Sequence, residues 1–216
     1  MSNFWVRHAG NRNNILQNGD LSARINLDTL SEISNLYAIG PIEGLKGEIT
    51  VYNGKSSIAT IEREQPKIYS SLNYNAIFLA YASASQWKKI TIKKSISGLS
   101  NVEAFVQNMA KKNNVDTQKP FPFRIEGIVD SLNYHIIYKS DNAPHNKTEH
   151  QRAKQKFSVY NSSVQIIGFW ADSESQGVYT HPDKRTHLHF MLEENTESGH
   201  IDNIQLREGA ILYLPL

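Results

Sequence analysis

The chain of 216 residues is 39% hydrophobic, 20% charged and 10% aromatic, with a formal net charge of +2, which excludes a disordered chain and gives no electrostatic reason to bind nucleic acid. Its length allows one domain or two small ones. It has no cysteine, so disulfides and thiolate metal sites are excluded, and any metal must be held by imidazole and oxygen.

Residues 1–25 are expected to form an extended N-terminal arm, because their first twenty are polar and rich in asparagine. Neither they nor any later stretch make an apolar run long enough for a secretory signal or a membrane span, so a cytoplasmic protein is expected. Over residues 26–40, helix-starting residues precede Leu30, Ile33, Leu36 and Tyr37 at helical spacing, which predicts an amphipathic helix. The run GEITVYNGKSSIATI then reads as two alternating strands joined by a tight turn at Asn53-Gly54, with Glu48 at the start of the first. In NAIFLAYASASQWKKITIKKSI, which carries one or two more strands, Lys88, Lys89, Lys93 and Lys94 read as outward-facing strand residues. No aromatic and basic recognition motif accompanies them. SNVEAFVQNMAKKNN predicts a helix with Val102, Phe105, Val106 and Met109 inward and Ser100 or Asn101 as its cap.

The two prolines of VDTQKPFPF mark a connection between an α+β subdomain over residues 26–116 and a mainly β subdomain over 117–216. In the latter, FRIEGIVDSLNYHIIYK reads as two strands around a turn, FSVYNSSVQIIGFWA as another, and THLHFMLEE, HIDNIQLRE and AILYLPL as closing strands. SDNAPHNKTEHQRAKQ and DSESQGVYTHPDKR are polar loops of the kind that border sites. The fold class is α+β, two mixed halves each built on a β-sheet.

Three of the eight histidines fall in THLHFMLEENTESGH. On a strand, His187 and His189 project from one face while Leu188 and Phe190 project from the other. The polar EENTESG ends in a turn-forming glycine, so a return strand brings His200 beside the pair. Three imidazoles on adjacent strands make a face for a divalent metal with an open position. Equally, the alternation of Leu188, Phe190 and Leu192 is what the solvent side of a half-buried sheet would show, and spacing alone leaves both readings open.

At these residues the chain resembles the α-acetolactate decarboxylase family, in which an HLHF pair and a later GH supply three zinc-binding histidines. AIGPIEGLKGEITVYNGK, FPFRIEGIVD and VQIIGFWA resemble further family segments, in collinear order from about residue 30 to residue 206. The resemblance implies that His187, His189 and His200 hold Zn2+ or another divalent ion in the second half, facing the cleft between the halves. It also implies that Glu48 is a carboxylate near or on the metal and that Arg124 is the active-site arginine. Glu48 alone could be an exposed strand residue, and Arg124 could pair with Glu126. Tyr134, His135, Glu126, His145, His150 and His181 read as strand or loop residues near the cleft, with His181 a spare ligand.

The implied activity is metal-dependent decarboxylation of 2-acetolactate, or a related small 2-hydroxy-3-oxo acid, to acetoin and carbon dioxide. Its partner is thus a small-molecule substrate, without nucleic acid or membrane, and the oligomeric state, with a homodimer among the options, stays open. Two departures qualify this: the family's C-terminal glutamate has no counterpart here, Glu208 being the last acidic residue, and DSESQGVYTHPDKRT is polar where the family has a Gly- and Pro-containing link. The alternatives are a non-catalytic member that binds metal or ligand, and a metal-dependent hydrolase, for which no nucleophile motif speaks.

Overall fold

The structure, a computed structural model, describes residues 3–11, 15 and 19–216. It is mostly β-sheet with few helices. One antiparallel sheet runs in the order β1 (Phe4–Ala9), β8 (Leu79–Ala84), β3 (Leu36–Pro41), β4 (Glu48–Tyr52), β5 (Lys55–Glu62) and β6 (Gln65–Tyr69). A two-stranded ribbon of β2 (Ile25–Asn26) and β7 (Asn75–Ala76) is bridged to the end of β3 through Ala76 and Ile42. The second sheet runs β10 (Ile96–Ser97), β14 (Ser198–Leu206), β13 (Thr186–Leu192), β12 (Lys154–Trp170), β11 (Phe121–Ile137), β15 (Ile211–Pro215) and β9 (Trp87–Thr91). Because β14 also pairs with β11, the strands β11, β12, β13 and β14 close on one another, which removes exposed edges. Among the described residues, no helix is long and apolar enough to cross a membrane.

Alternation sorts the side chains into three apolar clusters. Phe123, Ile125, Ile166, Leu188 and Phe190 face inward onto Val102, Val106 and Ala110 of the helix Leu99–Lys112. The opposite face presents Ile167, Phe169 and Met191 to Tyr37, Ile39, Tyr52, Phe78 and Ala80 of the six-stranded sheet. That sheet's other side, with Ala38, Ile49, Val51 and Ile58, is covered by Leu27 and Leu30. Each such fully buried large apolar side chain contributes about 1.5–3 kcal/mol, and the middle cluster brings the two sheets face to face.

The Asn53-Gly54 hairpin is as expected, with both turn residues at positive φ. The helix expected over residues 26–40 is corrected. Asn26 does cap, its side chain accepting from Asp28 N, but only a 3-10 turn over Leu27–Leu30 follows. Asn35 at φ 52° ends any helical path, and Leu36–Pro41 is a central strand paired on both sides. A short apolar run buried on both faces does not declare its period. The cap of the later helix is Gly98, since Asn101 instead turns its amide back to Ser97 O. The expected arm is in part an edge strand, Phe4–Ala9, and residues 1, 2, 12–14 and 16–18 lie outside the described residues.

FRIEGIVDSLNYHIIYK is not two strands around a turn: all but its last two residues belong to one strand of 17 residues, Phe121–Ile137. Its pairing with β14 shifts register between Asn133 and Tyr134 and, earlier, between Val129 and Ser131, a point that Arg207 holds by donating to Asp130 and to Asn161 on the neighbouring strand. The earlier shift exchanges the faces: Phe121, Phe123, Ile125 and Val129 are core residues before it, Leu132, Tyr134 and Ile136 after it. Arg124 and His135, an odd number of residues apart, therefore both face the six-stranded sheet.

Candidate metal centre

Register lines up the site. His189 pairs with His200, and His200 pairs with His135, so imidazoles from β13, β14 and β11 stand in one row on one face. His187, two residues from His189, adds another on the same face. Ring centroids lie 5.0 Å apart for His187 and His189, 4.8 Å for His187 and His200, and 5.3 Å for His189 and His200. Gly199 lets the row form: a Cβ there would lie 2.7 Å from Tyr134 Cδ2 and 2.8 Å from His135 O.

The facing sheet supplies the oxygens. Glu48 and Thr50 share the side of β4 that carries Tyr52, and Glu48 is only 3% exposed. Its carboxylate lies 3.7 Å from His189 Nε2 and 3.9 Å from His135 Nε2, and accepts from the Ile137 N–H at 3.4 Å. Gly47, at φ 150°, permits this placement, since a Cβ there would lie 2.2 Å from Ala59 O.

Second contacts orient the rings. His187 Nδ1 lies 3.0 Å from Tyr179 O, so Nδ1–H donates and Nε2 turns its lone pair inward, 3.0 Å from His200 Nδ1. Thr50 Oγ1 lies 3.2 Å from His189 Nδ1, which directs His189 Nε2 inward in the same way. Asp202 Oδ1 lies 2.8 Å from His135 Nδ1. Thr50→Val should therefore weaken metal affinity about 10- to 100-fold with the fold retained, read by competition with a chelator.

The donor set fits a divalent ion. One nitrogen from each of His187, His189 and His200 lies within 4.8 Å of the others. Tetrahedral zinc–nitrogen bonds of about 2.0–2.1 Å place nitrogens about 3.3 Å apart, within reach of small ring rotations. His135, His200 and Asp202 form a second possible set by the same measure. His135, His187 and His200 line a small cavity of about 30 Å³, room for about two waters, which Glu48, Leu45, Phe78 and Ile137 help to complete.

Arg124 sits at the other end of this face. It pairs with Ile167, which pairs with His189, so it is two strands, about 10 Å, from the histidine row. It does not line the cavity. Its guanidinium lies 4.2 Å from the Tyr213 ring centroid and 4.8 Å from that of Trp87, between Tyr37 and Tyr52, and donates to Tyr37 Oη at 3.0 Å. The pairing with Glu126, the alternative to an active-site role, is present at 3.7 Å. Burial works to raise the Glu126 pKa, but hydrogen bonds from Tyr213 and Tyr52, with the Arg124 charge, hold it below the ordinary glutamate value. The burial and Glu126 push Tyr213 up to about 12. A carboxyl with a lowered folded pKa stabilises the fold above its ordinary value, and that contribution disappears as pH falls through the folded value. Melting curves should thus show wild type losing more stability than Glu126→Gln between neutral pH and about pH 3.

Of the other candidates, His181 has its ring 6.3 Å from that of His200, and His145 Nε2 bonds Ile15 O. His150 is buried in the short helix Lys147–Arg152 and lines the cavity. Tyr134 packs inward and donates to Glu197. Sequence reasoning missed Thr50, although two residues after Glu48 on a strand is a same-face position. His135 was passed over as a strand residue because the face exchange at Asp130 has no local signature.

Solved structures with the same fold give its class. Alpha-acetolactate decarboxylase from Bacillus subtilis strain 168 has a TM-score of 0.80 and 14% identity, covering 98% of this chain and 85% of that one. A protein of unknown function similar to alpha-acetolactate decarboxylase, from Staphylococcus aureus, has a TM-score of 0.74 and 15% identity, covering 98% of this chain and 85% of that one. At such identities the likeness is one of fold. No curated protein sequence matches the chain. The alpha-acetolactate decarboxylase family model matches residues 11–214, and the chain belongs to that family.

Proposed function

We propose that the protein is a metal-dependent decarboxylase that converts 2-acetolactate, or a related small 2-hydroxy-3-oxo acid, to acetoin and carbon dioxide. The observation that carries this is the convergence of His187, His189 and His200 with the buried carboxylate of Glu48 across two facing sheets. A divalent ion held by the three imidazoles supplies a Lewis acid for the substrate's hydroxyl and carbonyl oxygens, zinc by family resemblance, though manganese, iron and nickel accept the same donors.

In this reading the metal site lies in the second half of the chain and faces the cleft between two sheet-based halves. Glu48 moves the proton: ionised when the substrate enters, it takes the proton of the substrate's hydroxyl and, when the bond to the carboxylate breaks and carbon dioxide leaves, returns it to the carbon that keeps the electron pair, the oxygen left charged being protonated from water. Phe78, Leu45 and Ile137 keep bulk water from that carbon. Arg124 acts from behind: with its head group among four rings it fixes the sheet spacing two strands away from His189, and an orienting contact with substrate requires that group to leave the rings. This engagement is the observation that favours the second reading, a member that binds metal without turnover. Acetoin formation from 2-acetolactate by the metal-loaded protein separates the two.

A further inference from the structure

The cavity at the histidines has one lysine or arginine in its described lining, Lys154. Lys154 opens β12 directly opposite Ile137. Opposed residues share a face, and Ile137 belongs to the cluster between the sheets, so Lys154 is on the histidine side. It is half-buried. Besides the inner cavity it lines an outer pocket of about 120 Å³ shared with His181, His187, His200 and Asp202. It also borders a third depression beside Asn133 and Lys156. Its side chain thus borders both the inner cavity, which Glu48 also lines, and the two outer depressions, which Glu48 does not.

That position has a chemical consequence. An acid entering the cavity must keep its own carboxylate away from the buried carboxylate of Glu48, because like charges at close range repel strongly where water is scarce. Among the described residues, the cation of the lining that can hold it is Lys154. Arg124 lies outside that lining, with its head group among aromatic rings. We infer that Lys154 binds the carboxylate of the substrate at the mouth of the cavity, which restricts the site to small hydroxy-acid anions and points the departing group toward solvent. The identity of the acid rests on the decarboxylase reading; the carboxylate contact does not. A lysine acts here as a point charge, so arginine should substitute in part and a neutral residue should not.

The probe is 2-hydroxy-2-methylpropanoate, which has no 3-oxo group and does not decarboxylate, compared with its methyl ester by calorimetry on the metal-loaded protein. Wild type is expected to bind the acid at least about tenfold more tightly than the ester. Lys154→Met and Lys154→Gln should abolish that preference and Lys154→Arg should keep most of it. With 2-acetolactate, Lys154→Met should raise KM about 10- to 100-fold and leave kcat within about threefold. Absence of the preference in wild type, which needs no variant to fold, overturns the inference, as does its survival in a folded Lys154→Met or Lys154→Gln protein. No turnover of 2-acetolactate together with a Lys154-dependent preference overturns the decarboxylase reading and upholds the carboxylate site. Turnover with a preference indifferent to Lys154 does the reverse.

Discussion

Glu48→Gln should lower the turnover of 2-acetolactate by about 10²- to 10⁴-fold, the usual scale for losing a positioned acid–base group, while the bound metal stays. Glutamine keeps the volume and the contact with the Ile137 N–H, so the 3% exposed site need not reorganise. What it loses is the charge beside His189 Nε2 and His135 Nε2 and the capacity to give up a proton. Acetoin release and metal content are measured on the same preparations. A variant within threefold of wild type would show that the proton comes from elsewhere, and a variant that loses its metal would make Glu48 a ligand first.

The second large effect is expected for His187→Ala, which should weaken metal binding at least about a hundredfold and abolish turnover while the fold survives. Structural zinc sites bind with about 10–16 kcal/mol over four ligands, so one ligand accounts for about 3 kcal/mol. His187 is only 3% exposed and stacks near Phe78 at 6.3 Å, so its removal leaves a small hole in a face held by many other apolar contacts. Metal titration and circular dichroism read the two effects. Full metal content in the variant would move the ion to the other set, His135, His200 and Asp202, and His135→Ala should then release it.

How much of this was legible depends on the range over which each feature is set. His187 and His189 were readable because β13 is a regular strand whose neighbours alternate with them, and a short glycine-bearing return to β14 placed His200 opposite His189. The Asn53-Gly54 hairpin was a local feature too, whereas Glu48 entered only through the family resemblance, its strand alone reading equally as exposed. The helix expected over residues 26–40 failed because the neighbours of Leu36–Pro41, β8 and β4, decide its state, and they lie elsewhere in the chain. The single strand through FRIEGIVDSLNYHIIYK was hidden by a register shift pinned from Arg207, distant in sequence. That shift turns His135 to the histidine side while Tyr134 packs inward, and a second shift between Asn133 and Tyr134 sets His135 opposite His200. Lys154 needed the pairing of β11 with β12 before its place at the cavity could be seen.

The most direct test of the account is one sample of purified protein, assayed for metal content and for acetoin and carbon dioxide release from racemic 2-acetolactate. The account predicts about one divalent ion per chain, turnover lost with a chelator, and turnover restored by adding the ion back. A protein that binds its ion at the histidines and releases neither acetoin nor carbon dioxide would contradict it.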